Sequence, residues 1–131
     1  PGMVSIDVAG GAVTLTHTPA DGTVRETEIP PRAFPGCAAS PCAACPDGTT
    51  PVLNLPLIQA TLRKLKAHPS LVEVREVTIF ASEDVLYRDI VQVMDLARAA
   101  REIPGDATPC TILAGAAGDA LFPNVVFAVK R

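Results

Sequence analysis

The change of period between Val72 and Arg101 constrains this chain more than any other feature. Residues 72–80 read VEVREVTIF, in which Val74, Val77, Thr78 and Ile79 are β-branched and Phe80 closes the run. Such side chains suit the pleated surface of a strand, so an extended segment is predicted. Ser82-Glu83-Asp84 forms a polar break, and past it the spacing changes. Tyr87, Ile90, Val91, Met94, Ala97 and Arg101 recur at steps of three and four, which places the apolar ones among them along one helical face. A strand, a short turn and an amphipathic helix therefore follow one another directly, and the rest of the chain is expected to cover this unit.

Before that unit, Val4, Ile6 and Val8 alternate with Ser5 and Asp7, and Val13 and Leu15 resume the alternation after Gly10-Gly11. This is the pattern of a β-hairpin. Asp21-Gly22 marks a further turn, Val24–Ile29 a short third strand, and Pro30-Pro31 its end. From Pro30 to Pro51 the chain is rich in Pro, Ala and Gly without periodicity, a long loop that calls for a staple or a function. Asn54 offers an N-cap and Pro56 suits a first helical turn. Leu55, Ile58, Leu62 and Leu65 then follow at helical spacing, with Arg63, Lys64 and Lys66 near the C-terminal end, where cations are favoured. His68-Pro69 stops that helix, because a residue before Pro is pushed out of the α region. Pro104-Gly105 ends the second helix, Thr111–Leu113 suggests a minor strand, and Asn124–Val129 a strong one. The order hairpin, helix, strand, helix, strand predicts an α/β fold of the α+β-like two-layer kind. It would have a mixed sheet of four or five strands and two helices on one face. The second helix would cross between parallel strands in a right-handed βαβ unit. A chain of 131 residues suffices for one such domain, 1–131, with a single core.

Formal charge is −3 with no basic cluster, so nucleic acid is not an expected partner. One Tyr, four Phe and no Trp leave little from which to build stacking platforms. No apolar run approaches the length of a membrane span. The opening Pro1-Gly2-Met3 lacks an initiator Met and a signal peptide, and reads as a fragment or a trimmed chain. Of the four cysteines, Cys37, Cys42 and Cys45 share the Pro- and Ala-rich loop, while Cys110 is distant. An even count confined to loops predicts two disulfides and an oxidising compartment. The spacing Cys37-x4-Cys42-x2-Cys45 also matches plant-type ferredoxins, which makes a small redox or [2Fe–2S] electron-transfer protein the rival reading. Against it, the intervening Ala38-Ala39-Ser40-Pro41 has no Gly for close approach to a cluster, a rigid Pro precedes Cys42, and the gap to Cys110 is far too long. Zinc is set aside with it, and no metal or cofactor is expected. Three connectivities are open; if Cys110 pairs into the loop, the other two cysteines there pair locally.

Glu83, Asp84 and Asp89 can be read as catalytic or metal-binding carboxylates, or more simply as acids favoured at a helix N-terminus. His17 and His68 have no acid or nucleophile at a telling spacing, and no Gly-rich phosphate loop is present. No catalytic residue is assigned and no enzymatic activity is expected. Tyr87 and Met94 are expected in the core, with the Tyr hydroxyl reaching a polar edge. A free-standing ligand-binding module is a weaker alternative that requires a pocket. The terminal strand, Asn124, Val125, Val126, Phe127, Ala128 and Val129, has two readings. At a sheet edge it can pair with another strand; otherwise it is internal, with Lys130-Arg131 protecting its end.

The run Thr78-Ile79-Phe80-Ala81-Ser82-Glu83-Asp84-Val85-Leu86-Tyr87, continuing through Ile90-Val91-Gln92-Val93-Met94-Asp95, resembles the periplasmic domain of the ExbD/TolR biopolymer-transport family. The shared features are an apolar strand, an acidic turn, a Val-x-Tyr step and a helix with a Val-Met-Asp triplet. The helix Leu57–Leu65, the opening hairpin and the closing strand fall in the family's order. The cysteine loop, residues 37–51, and the link from Gly105 to Pro123 are insertions. The family's membrane helix with its proton-carrying Asp has no counterpart here, so no residue inherits that role. The resemblance implies a single-pass inner-membrane subunit whose periplasmic domain works with an ExbB/TolQ-like channel driven by the proton-motive force. It further implies contact with a TonB- or TolA-like protein or peptidoglycan, and a homodimer in the full-length protein.

Overall fold

The computed structural model describes residues 2–19, 22–98, 102–111, 122 and 124–130. Its centre is a five-stranded mixed sheet. Strands β1 (Met3–Ala9), β2 (Ala12–Thr18) and β3 (Arg25–Ile29) form an antiparallel meander. Helix α1 (Leu55–Lys66) then leads to β4 (Glu76–Ser82), and helix α2 (Tyr87–Arg98) to β5 (Asn124–Lys130). The strand order is β3-β2-β1-β4-β5, with β4 parallel to both β1 and β5. The predicted two-layer architecture is the observed one.

Each local prediction has a visible cause. Gly10 and Gly11 connect β1 to β2 in a two-residue turn with φ of 57° and 83°, the left-handed backbone that a tight hairpin demands of both central residues. The Asn54 side chain accepts from the Leu57 N–H at 3.3 Å, capping α1, and Pro56 sits in the first turn. Along β1, β2 and β4 the buried residues alternate, and the register aligns them: Ile6 lies beside Leu15 on one side and Ile79 on the other. All three are buried against Leu55, Ile58 and Leu62 of α1 and Val93 and Leu96 of α2 in one continuous core. The opposite face carries Ser5, Asp7, Thr14, Thr16 and Thr78, the half-exposed polar pattern of a sheet covered on one side.

Helix α2 differs from its prediction in which face it buries. Ile90, Gln92, Val93, Leu96 and Ala97 are inside, whereas Met94 is half-buried against the core and Tyr87 is 79 % exposed. The buried arc is turned by roughly one residue's 100° step from the one predicted. Nearly every position from Ile90 to Ala97 is apolar, so spacing alone left the arc's edges undetermined, and Tyr87 stands at the helix's first position. Thr111, predicted in a minor strand, belongs instead to a helical turn over residues 109–111 that begins at a Pro, as first turns tolerate. Ile112 and Leu113 of that prediction lie outside the described residues, as do Asp21, Arg101 and Arg131. Among the described residues no helix is long and apolar enough to cross a membrane.

Candidate functional site

The two edges of the sheet differ in chemistry. At β3 the exposed positions Arg25, Glu26 and Glu28 carry charges of both signs, a common protection against edge-to-edge pairing. At β5 the sequence NVVFAVK leaves Val126, Phe127 and Val129 between 43 % and 49 % exposed. Val77, Ile79 and Ala81 of β4 align with Val125, Phe127 and Val129, so these three share the helix-side face while Val126 and Ala128 share the open face with Thr78 and Phe80. Among the described residues β5 pairs only with β4, and its outer edge has no strand beside it. Among the described residues β5 is thus the last strand of the sheet, the position on which the strand-pairing reading of this segment depends.

The cysteine loop, which follows β3 in the chain, is built as a small second core. Arg32 and Val52 exchange two backbone hydrogen bonds of 2.8 and 2.9 Å, closing the loop at its base. Phe34, Cys37 and Cys45 are buried inside it, with the Arg32 guanidinium 4.9 Å above the Phe34 ring. Disulfides join Cys37 to Cys45 and Cys42 to Cys110, with Cα separations of 5.8 and 5.7 Å. This is the arrangement in which Cys110 pairs into the loop and the other two pair locally. No free cysteine is left among the described residues, so in this state no thiolate is offered to an iron cluster. Asp47 organises the loop's return: its Oδ1 accepts from the Thr49 and Thr50 N–H groups at 2.8 Å, and its Oδ2 accepts from the Thr50 hydroxyl at 2.8 Å. The Thr50 and Thr49 amides hold its carboxyl down at about 2. The Asp47-Gly48-Thr49-Thr50 string carries the composition of such a turn, a signal that sequence reasoning passed over.

The remaining candidates do not converge. Glu83 and Asp84 stand exposed in the turn after β4, where the Ser82 hydroxyl donates to Asp84 Oδ1 at 2.5 Å. Asp89 lies in the first turn of α2, 3.7 Å from the Arg88 guanidinium, and burial pushes its carboxyl up while Arg88 partly offsets the rise. No group of three or more His, Cys, Asp or Glu side chains among the described residues is placed to hold a metal ion. His17 and His68, remote in sequence, meet edge to face with ring centroids 5.2 Å apart. His17 is buried, and the His68 Nδ1 accepts from the Ser70 N–H at 3.1 Å, so the contact fastens the α1–β4 connection to β2. Lys66 donates to the Val74 carbonyl and lies 4.8 Å from the centroid of the Phe122 ring; burial, and then Arg75, push its ammonium down. Comparison of the chain with family models, curated proteins and solved structures finds no match to any of them.

Proposed function

We propose that this chain is a non-enzymatic, disulfide-braced interaction domain that engages a partner by strand addition at the outer edge of β5. The observation that carries the reading is the contrast between the sheet's edges. The charged β3 is built to repel a neighbour, whereas β5 presents exposed Val126, Phe127 and Val129 at an edge with no further strand among the described residues. Main-chain hydrogen bonds would supply affinity, and the alternate side chains would supply selectivity.

The resemblance of Thr78–Asp95 to ExbD/TolR periplasmic domains gives this reading its specific form. In that form the chain is the periplasmic part of an inner-membrane subunit that couples proton-motive force to biopolymer transport. It would work beside an ExbB/TolQ-like channel, contact a TonB- or TolA-like protein or peptidoglycan, and pair with a second copy. Two observations support it: α2 joins the adjacent parallel strands β4 and β5 in the order the resemblance implies, and paired cysteines suit an oxidising compartment. The test is photocrosslinking in membranes from full-length protein carrying the crosslinker at Phe127, with Thr27 on β3 as the control edge. Crosslinks to a second copy or a partner from Phe127 alone are expected, and Val126→Lys should abolish them. Equal crosslinking from both edges, or none from β5, would sink the strand-addition reading. A full-length gene without a single apolar span bearing an acidic residue would remove the transport role and leave strand addition standing.

A further inference from the structure

At the carboxyl ends of β1 and β4, a cleft of about 380 Å³ lies between the cysteine loop, the β1–β2 turn and the first turns of α2. Its volume falls in the range of small-ligand sites. Its position also fits, because the carboxyl ends of the parallel strands β1 and β4 open here, through Gly10 and Asp84, and ligands of open α/β sheets gather at such ends.

The polar content of the cleft is incomplete. Gln92 lines it and is only 4 % exposed, yet its amide nitrogen has no hydrogen-bond partner among the described residues. A buried donor without an acceptor is costly, and folded proteins retain few of them. Asp89, three residues earlier and so on the same helical side, also lines the cleft and is largely withdrawn from water. The cleft thus offers a donor with no acceptor among the described residues beside a partly covered carboxylate. Val52, Leu53, Val85 and Leu86 form apolar walls.

We propose that this cleft binds a short extended peptide segment through the backbone of one residue, whose carbonyl accepts from Gln92 Nε2 and whose N–H, on the same side of an extended chain, donates to Asp89. A free carboxylate would satisfy Gln92 but meet the charges of Asp84 and Asp89, which Arg88, the one cation among the described lining residues, does not balance. An ammonium group would satisfy Asp89 and leave the Gln92 nitrogen unpaired. A sugar would want an aromatic face, and none of the described lining residues is aromatic. The Gln92 nitrogen is shut off from solvent, and the broad terminal torsion of Gln lets the amide turn toward an entering carbonyl.

The test is an NMR titration of the intact, disulfide-bonded chain with the capped dipeptide N-acetyl-leucyl-alanine methylamide. Saturable shifts at Gly10, Gly11, Val85 and the Gln92 side-chain amide are expected, with sodium acetate failing to compete. Gln92→Met keeps the side chain's length without its donor and should weaken binding about tenfold, the equivalent of one good hydrogen bond. Asp89→Ala should weaken binding similarly and gives a second reading if the first variant does not fold. Shifts that never saturate, that lie elsewhere, or that persist at full affinity in a folded variant would overturn the proposal.

Discussion

Gly48 has a φ of +77°, and a Cβ built on it would lie 3.0 Å from the Ala38 nitrogen and the Pro35 oxygen. Both neighbours are backbone, so they cannot swing aside, and the left-handed conformation adds its own penalty for any other residue. Gly48→Ala should therefore lower stability by about 1–3 kcal/mol in urea unfolding. A loss under about 0.5 kcal/mol would mean that the loop yields instead. Its neighbour Asp47 is fully exposed, and its folded pKa of about 2 lies below the ordinary 3.8. The carboxylate's contribution to stability is complete above roughly pH 4 and is lost as pH falls through about 2. An NMR titration should place the Asp47 midpoint near 2, and Asp47→Asn should flatten the acid limb of the stability profile. Gln92 behaves oppositely to most buried residues. Replacing it with Met removes an unpaired donor, so the variant should equal the parent or gain up to about 1 kcal/mol in unfolding free energy.

At the scale of elements, the two disulfides are not equivalent. Cys37 and Cys45 are wholly buried beside Phe34, whereas Cys42 and Cys110 are only partly covered. Thiol–disulfide exchange needs access to a sulfur, so a dithiol reductant should open Cys42–Cys110 first. Alkylation of the native protein followed by mass spectrometry should find Cys42 and Cys110 labelled while Cys37 and Cys45 are still joined; simultaneous opening would contradict the packing. The bridges also differ in what they restrain. Cys42–Cys110 spans 68 residues of sequence and Cys37–Cys45 spans 8. Chain-entropy reasoning gives roughly 4 kcal/mol for the former and about 2.5 kcal/mol for the latter. Opening the first should therefore cost the fold more and also free Pro109, which lines the cleft beside Cys110.

For the molecule as a whole, Phe122 ties the chain's last strand to the rest. It is fully buried, its N–H donates to the Ala97 carbonyl at the end of α2 at 2.8 Å, and Lys66 of α1 lies over its ring. One residue thus joins both helices at the entry to β5, α2 through its backbone N–H and α1 through its ring. Phe122→Ala should cost about 3–5 kcal/mol, measured by chemical denaturation. Because the loss falls on β5's anchorage, hydrogen exchange should rise in β5 before it rises in β1 and β2. An even rise across the sheet would show that β5 is held independently of this residue.

Much of this molecule was written in its local sequence. The alternation of Val4, Ile6 and Val8, the Gly10-Gly11 turn, the Asn54 cap and the strand–turn–helix from Glu76 to Arg98 depend on backbone propensities and spacings of a few residues, which a sequence displays directly. Disulfide formation was legible but the pairing of cysteines was not, since all three connectivities of four cysteines satisfy the same count. The buried side of α2 was not legible, because six apolar residues between Ile90 and Ala97 allow more than one arc, and α1 and Phe122 select among them. The meeting of Gln92, Asp89 and the cysteine loop around one cleft had no sequence signature at all. It joins residues near 10, 50, 90 and 109. Local chemistry thus determined the elements. Which edge lies open, which face is buried and which polar groups share a cavity were decided only by long-range packing, where one residue's surroundings are supplied by distant parts of the chain.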